Sequence, residues 1–183
     1  KRKFKDINVS LLGLGTMRLP CETEQKRESN RNIDYDKAQS LVDLAYKNGV
    51  NYFDTAYMYH CGKSEAFIGY ALNKYPRDTY FIADKLPIWL CDTKEDMKRV
   101  FEKQLERTGM DYFDFYLLHS LDNENFEKCE KFYAYDFLKK MQKEGKIKYI
   151  GFSFHGTVDD LRNIVSAHKW DFCLLYTSPS PRD

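Results

Sequence analysis

The chain has 183 residues, 43% of them hydrophobic, which suits one domain, or a large part of one, with a core. Its 29 Lys and Arg nearly cancel its 28 Asp and Glu, so no global field draws it to nucleic acid or to an anionic membrane. No apolar run approaches the roughly 20 residues of a membrane span, and no signal-peptide pattern opens the chain.

Taken in order, Ser10 to Leu14 is predicted as a strand ending in the turn Gly13-Leu14-Gly15. Asp36 to Asn48 is predicted helical, with Ala38, Leu41, Val42 and Ala45 on one face, Asp34 or Asp36 as its cap and Gly49 after its end. Val50 to Asp54 is the second strand. Ser64 and Glu65 open a helix with Phe67, Ile68, Ala71 and Leu72 inward, and Tyr80 to Lys85 is the third strand. Thr93 caps a helix carrying Met97, Val100, Phe101 and Leu105 that stops near Gly109. Phe113 to His119 is the fourth strand, Phe132 to Lys143 a helix stopped by Gly145, and Lys148 to Ser153 the fifth strand. Thr157 opens a helix with Leu161, Ile164 and Val165, and Trp170 to Leu175 begins a sixth strand.

This alternation is the pattern of βα units and a parallel sheet, with strands apolar on both faces. Two architectures fit, a (βα) barrel and a doubly wound open sheet, and periodicity alone does not separate them. The barrel-like domain is expected over residues 1–175. The tail 176–183, YTSPSPRD, carries two prolines where a strand should continue and is expected to be foreign to the fold. The first residue is Lys rather than Met, so an incomplete N-terminus is expected as well. Cys21, Cys61, Cys91, Cys129 and Cys173 are widely and irregularly spaced, without a C-x-x-C pair. Reduced thiols in a cytoplasmic protein are expected, with neither a zinc site nor a disulfide framework.

Polar residues gather at the strand ends: Asp54 at the second, Lys85 at the third, His119 at the fourth, and Ser153 at the fifth with His155 two residues on. In a parallel barrel such ends face one mouth, and Tyr59, just after the second strand, is placed to lean over it. A free tyrosine titrates too high, near 10, to give up its proton readily at neutral pH. A nearby ammonium favours the phenolate and makes the phenol a usable general acid. An aspartate keeps the lysine charged, and a histidine N–H can hold a carbonyl oxygen as negative charge develops. The set suits carbonyl reduction, given a hydride source. Each residue alone also has an ordinary reading: cap or ion-pair partner for Asp54, packed ring for Tyr59, solvated amine for Lys85, satisfied core imidazole for His119. Other signals fail. Gly62-Lys63-Ser64 has Tyr57 where a phosphate loop needs glycine, Gly13-x-Gly15 lacks the third glycine of a dinucleotide fingerprint, and no Gly-x-Ser-x-Gly elbow is present.

The segments LLGLGTMRLP, GVNYFDTAYMYHCGKSE, FIADKLP, DYFDFYLLHSL and GKIKYIGFSFHG resemble the aldo-keto reductases, in that family's order and spacing, from about Lys3 to Leu175. GFSFH and KLPIWL are most similar to the group with a C-terminal ferredoxin-like iron–sulfur extension. The resemblance implies a (βα)8 TIM barrel, incomplete here at about six strands, and NADPH-dependent reduction of a small aldehyde or ketone, with NADH as the other possible donor. Tyr59 is similar to the family's proton donor, Lys85 and Asp54 to the pair that tunes it, and His119 to the residue that orients the carbonyl. Gly15, Thr16 and Met17 match the loop near the nicotinamide, Asp54 lies beside it, and Ser153 matches the serine that holds the carboxamide. The chain departs from the family at Phe154, where Asn is frequent, and at Asp84, where a small or hydroxylated residue precedes the lysine. The last strands, the phosphate-binding loops and any 4Fe-4S cysteines are expected beyond Leu175.

Three other readings stay open. One is a barrel of this type that binds cofactor or docks on a partner without turnover. Another is a Schiff-base enzyme using Lys85. The last is a fragment that, alone, is poorly stable and inert.

Overall fold

The computed structural model describes residues 1–22 and 32–175. The expected foreign tail, 176–183, lies outside the described residues. The chain opens with an antiparallel hairpin, β1 (Arg2–Phe4) and β2 (Ile7–Val9), turned at Lys5 with φ of 51°. Then come β3 (Leu14–Gly15), β4 (Tyr52–Asp54), β5 (Phe81–Leu86), β6 (Phe113–Leu121), β7 (Ile147–Phe154) and β8 (Phe172–Leu175). These six form one parallel sheet in the order β3-β4-β5-β6-β7-β8. Every strand lies beside its successor, and the order never reverses. A doubly wound sheet reverses at a switch point, so of the two expected architectures the order selects the incomplete (βα) barrel.

The helices are α1 (Tyr35–Lys47), α2 (Lys63–Leu72), α3 (Lys94–Thr108), α4 (Asn123–Phe132), α5 (Ala134–Lys143) and α6 (Val158–Ala167). No helix among the described residues is long and apolar enough to cross a membrane. The chain divides into two compact units.

The first unit comprises Lys1–Asp84 with Glu102–Asp114. Its core holds Phe53, Phe67, Ile68, Leu72 and Ile82, all fully buried. Asp34 caps α1 by accepting from the Lys37 amide at 3.1 Å, and Gly49 leaves the helix with φ of 86°. Ala38 and Val42 face the core, whereas Leu41 is 37% exposed at the margin of the predicted face. Gly69 on α2 lies so close to the backbone of Thr108 on α3 that a β-carbon there would collide with it.

The second unit comprises Lys85–Phe101 and the chain from Phe115 onward. Tyr116, Leu117, Leu118, Leu138, Ile150 and Phe152 fill its core, and the Phe101 ring meets Tyr116 edge-on at 4.9 Å. Thr157 and Asp160 form a reciprocal capping box at α6.

Three expectations need correction. Of the predicted strand Ser10 to Leu14 only Leu14 is in one, β3. The Ser10 amide donates to Asn51 Oδ1 at 2.7 Å and its hydroxyl to the Leu12 carbonyl, so the chain turns there, leaving Leu11 and Leu12 76% and 70% exposed. The preceding hairpin was hidden because its turn, Lys5-Asp6, lacks the Asn-Gly or Gly signal. The helix predicted from Phe132 begins at Ala134, behind a break at Tyr133 (φ 57°), and a separate helix, α4, precedes it with Asp122 as cap. On α6, Ile164 is buried but Val165 is 51% exposed.

Candidate active site

In the first unit, Gly15 of β3 stands opposite Asp54 of β4, and Asp54 stands opposite Ala83 of β5. Thr16 follows β3 and is fully buried. Its amide and its hydroxyl both donate to the Asp54 carbonyl at 2.9 Å, and its hydroxyl oxygen lies 2.6 Å from Ser64 Oγ at the start of α2. Ser64 Oγ also lies 2.9 Å from Thr55 Oγ1. This hydroxyl cluster ties the Gly15–Met17 loop, the end of β4 and the first turn of α2 into one piece. Met17 is 59% exposed and Gly15 is exposed, with no atom within 4 Å of where a β-carbon would stand. Tyr59 is half-buried in the turn between β4 and α2, its amide donating to the Ala56 carbonyl at 3.1 Å.

Asp84 and Lys85 are neighbours in β5, so they point to opposite faces of the sheet. Asp84 is fully buried and accepts from Gln104 Nε2 of α3 at 2.7 Å. The same amide donates to Glu65 Oε1 of α2 at 3.0 Å, and Arg107 Nη1 reaches Glu65 Oε2 at 2.9 Å. Burial raises the Glu65 pKa, while Arg107 and Gln104 oppose that shift. The unusual acid before the lysine is thus committed to a polar network that binds β5 to α2 and α3.

In the second unit, Lys85 is 1% exposed, Ser153 on β7 is 5% exposed and His119 on β6 is half-buried. Burial first, then the positive charge of Lys85 and the neighbouring His155, holds the His119 pKa down to about 3. The imidazole is therefore neutral at physiological pH and carries one N–H donor. Trp89, in the short helical turn after β5, lies 5.0 Å from the His119 ring. Ser153 Oγ accepts the Ser120 amide at 2.7 Å, which leaves the hydroxyl hydrogen as a donor. Phe154 packs its buried ring near Phe152 and beside Gly156.

The first unit thus brings together Gly15, Thr16 and Asp54, with Tyr59 on the turn that leads into Ser64 and α2. The second brings Lys85 and His119 into electrostatic reach and sets Ser153 on the next strand. Sequence reasoning missed Ser64, Trp89 and the Gln104 bridge. A serine at a helix start, a partly exposed ring and a helical glutamine carry no local signal of such partners.

A cavity of about 470 Å³ lies in the first unit among Gly69, Tyr75, Arg77, Arg107 and Tyr112. It contains none of the expected site residues, and its two cations are engaged by Asp114 and Glu65. Among the described residues, no three His, Cys, Asp or Glu side chains cluster as metal ligands do.

Residues 11–181 match the model of the Aldo/keto reductase family. The chain belongs to this family. An aldo-keto reductase of Gibberella moniliformis is 32% identical over 158 residues, 82% of this chain and 45% of that protein. The NADH-specific methylglyoxal reductase of Escherichia coli is 28% identical over 168 residues, 80% of this chain and 48% of that protein. Among solved structures, an aldo-keto reductase from Klebsiella pneumoniae in complex with NADPH superposes with a TM-score of 0.65 at 26% identity, covering 87% of this chain and 50% of that one. The chain spans about half the length of these relatives.

For an aldo/keto reductase, the donor set suits a nicotinamide cofactor. In the first unit the side of Gly15 is open beside the loop that Thr16 anchors, and in the second the Ser153 hydroxyl keeps a hydrogen to donate.

Proposed function

We propose that the protein reduces aldehyde or ketone carbonyls with NADPH, Tyr59 being the proton donor and Asp54, Lys85 and His119 its partners. The observation that carries the reading is the buried Lys85 acting on a histidine that burial keeps neutral. In the role proposed here, a lysine cation favours the tyrosine's phenolate and so eases release of its proton. A neutral imidazole can donate its N–H to a carbonyl oxygen without competing as an acid. Asp54, Lys85 and His119 stand in or at the ends of consecutive parallel strands, the edge on which barrels of this class build their sites.

Gly15, Thr16, Met17, Asp54 and Ser153 would hold the cofactor. When bound, a reduced nicotinamide supplies the hydride for the carbonyl carbon. Tyr59 Oη gives its proton to the carbonyl oxygen, and Asp54 balances the charge of Lys85. The NADPH complex of the Klebsiella enzyme supports NADPH as the donor, and the NADH-specific E. coli relative makes NADH the donor to test beside it. The methylglyoxal reductase and glyoxal reductase relatives support small dicarbonyls as first substrates. The GFSFH and KLPIWL segments support a place in the group with an iron–sulfur extension, which an iron assay on the full-length protein would test.

The deciding experiment follows NADPH oxidation with methylglyoxal and an aldehyde panel. In Tyr59→Phe, turnover should fall by about 10²–10⁴-fold while cofactor affinity holds. Turnover that survives the substitution removes Tyr59 from the role. Tight NADPH binding by the wild type with no turnover on any carbonyl would favour a binding module.

A further inference from the structure

The turn that presents Tyr59 is built from conformations that L residues rarely adopt. His60 (φ 50°, ψ 39°) and Cys61 (φ 55°, ψ 40°) are both left-handed and run directly into Gly62 at φ 83°. Only a surrounding structure that over-determines such a turn keeps it in place. His60 is 8% exposed, an unusual depth for a loop histidine. Its Nε2 accepts the Leu19 amide at 3.1 Å, so the proton of the neutral ring sits on Nδ1. Nδ1 lies 3.8 Å from Cys21 Sγ, and that thiol donates in turn to the Leu19 carbonyl at 3.4 Å. Leu19 and Cys21 belong to the same segment after β3 whose Thr16 is bonded to Ser64. The turn carrying Tyr59 is thus tied to that segment at His60, and the helix it leads into at Ser64.

We infer that His60 is a positioning residue for Tyr59: its neutral imidazole locks the left-handed turn onto the Thr16–Cys21 segment, and protonation of the ring unlocks it. This rests on the proposed role of Tyr59. The groups facing the ring agree with a neutral state. Burial disfavours the charged form, and Lys63 at the start of α2 adds to this. The Thr16 carbonyl opposes them. On protonation, Nε2 becomes a donor facing the Leu19 N–H, and the bond is lost.

The test uses the full-length protein. Nitrogen-15 NMR of the wild type should show the Nδ1–H tautomer at neutral pH, and the Leu19 amide should be protected from hydrogen exchange. His60→Asn tolerates the left-handed backbone but cannot place an acceptor at the Nε2 position. Its kcat should fall about 10- to 100-fold, as for a displacement of about 1 Å, with unchanged NADPH affinity and a fast-exchanging Leu19 amide. His60→Gln carries an uncharged acceptor, so it should recover most of the rate and lack the fall in rate at acid pH that protonation of His60 is expected to give the wild type. The Nε2–H tautomer in the wild type, or a folded His60→Asn that turns over like the wild type, overturns the inference. A wild type that reduces no carbonyl refutes the role of Tyr59 and so the positioning claim, while the tautomer and Leu19 exchange still decide whether the lock exists.

Discussion

His119 carries a pH signature independent of any assay of turnover. A free histidine titrates near 6.5, and burial holds His119 to about 3. Between those values the unfolded chain binds a proton that the native chain does not. The stability tied to the neutral ring is therefore complete above about pH 6.5 and drains as pH falls towards about 3. Urea midpoints of the wild type should drop more between about pH 7 and about pH 4 than those of His119→Gln. Equal slopes would mean that the ring is already protonated or solvated in the native state. The same shift predicts that the acid limb of a pH–rate profile in the neutral range does not belong to His119.

The helices α2 and α3 are held together by two devices of different kind. One is the polar network of Glu65, Gln104, Asp84 and Arg107, where one buried amide serves two carboxylates. The other is the close approach of Gly69 to the Thr108 backbone. Alanine is the better helix former by about 1 kcal/mol, so Gly69→Ala would stabilise an open helix. Here the added methyl meets main chain, which cannot rotate away, and overpacking of this kind costs about 1–3 kcal/mol. Gly69→Ala should therefore destabilise the protein, read as a lower denaturant midpoint with an unchanged slope. A neutral or stabilised variant would show that the two helices stand further apart.

Over the whole chain, β8 ends the sheet order among the described residues, with Leu174 39% and Leu175 49% exposed. A strand at that position offers backbone donors and acceptors to another chain. Expressed alone, the 183-residue chain is expected to self-associate, and Leu174→Lys with Leu175→Lys to reduce that association in size-exclusion chromatography. A monomeric wild-type chain would contradict this.

The strand framework of the candidate site was legible in the residues because it depends on short-range pattern. Apolar runs that end in Asp54, Lys85 and Ser153, separated by amphipathic helices, announce βα units and what stands at their tips. Polar partners were not legible, since they come together over long separations: Thr16 with Ser64 across 48 residues, Leu19 with His60 across 41. The face taken by Asp84 follows from the strand period, but its use by Gln104 does not. The hairpin before β3 and the break at Tyr133 escaped because Lys5 and Tyr133 are left-handed without being glycine. The sequence by itself thus determined the family, the alternation of strand and helix and the identity of the strand-end residues, all of which are local in the chain. Only the tertiary structure decided the unreversed strand order, the pairing of Asp84 with Gln104 and the neutral state of His119, because burial and the choice of partner depend on residues far apart in sequence.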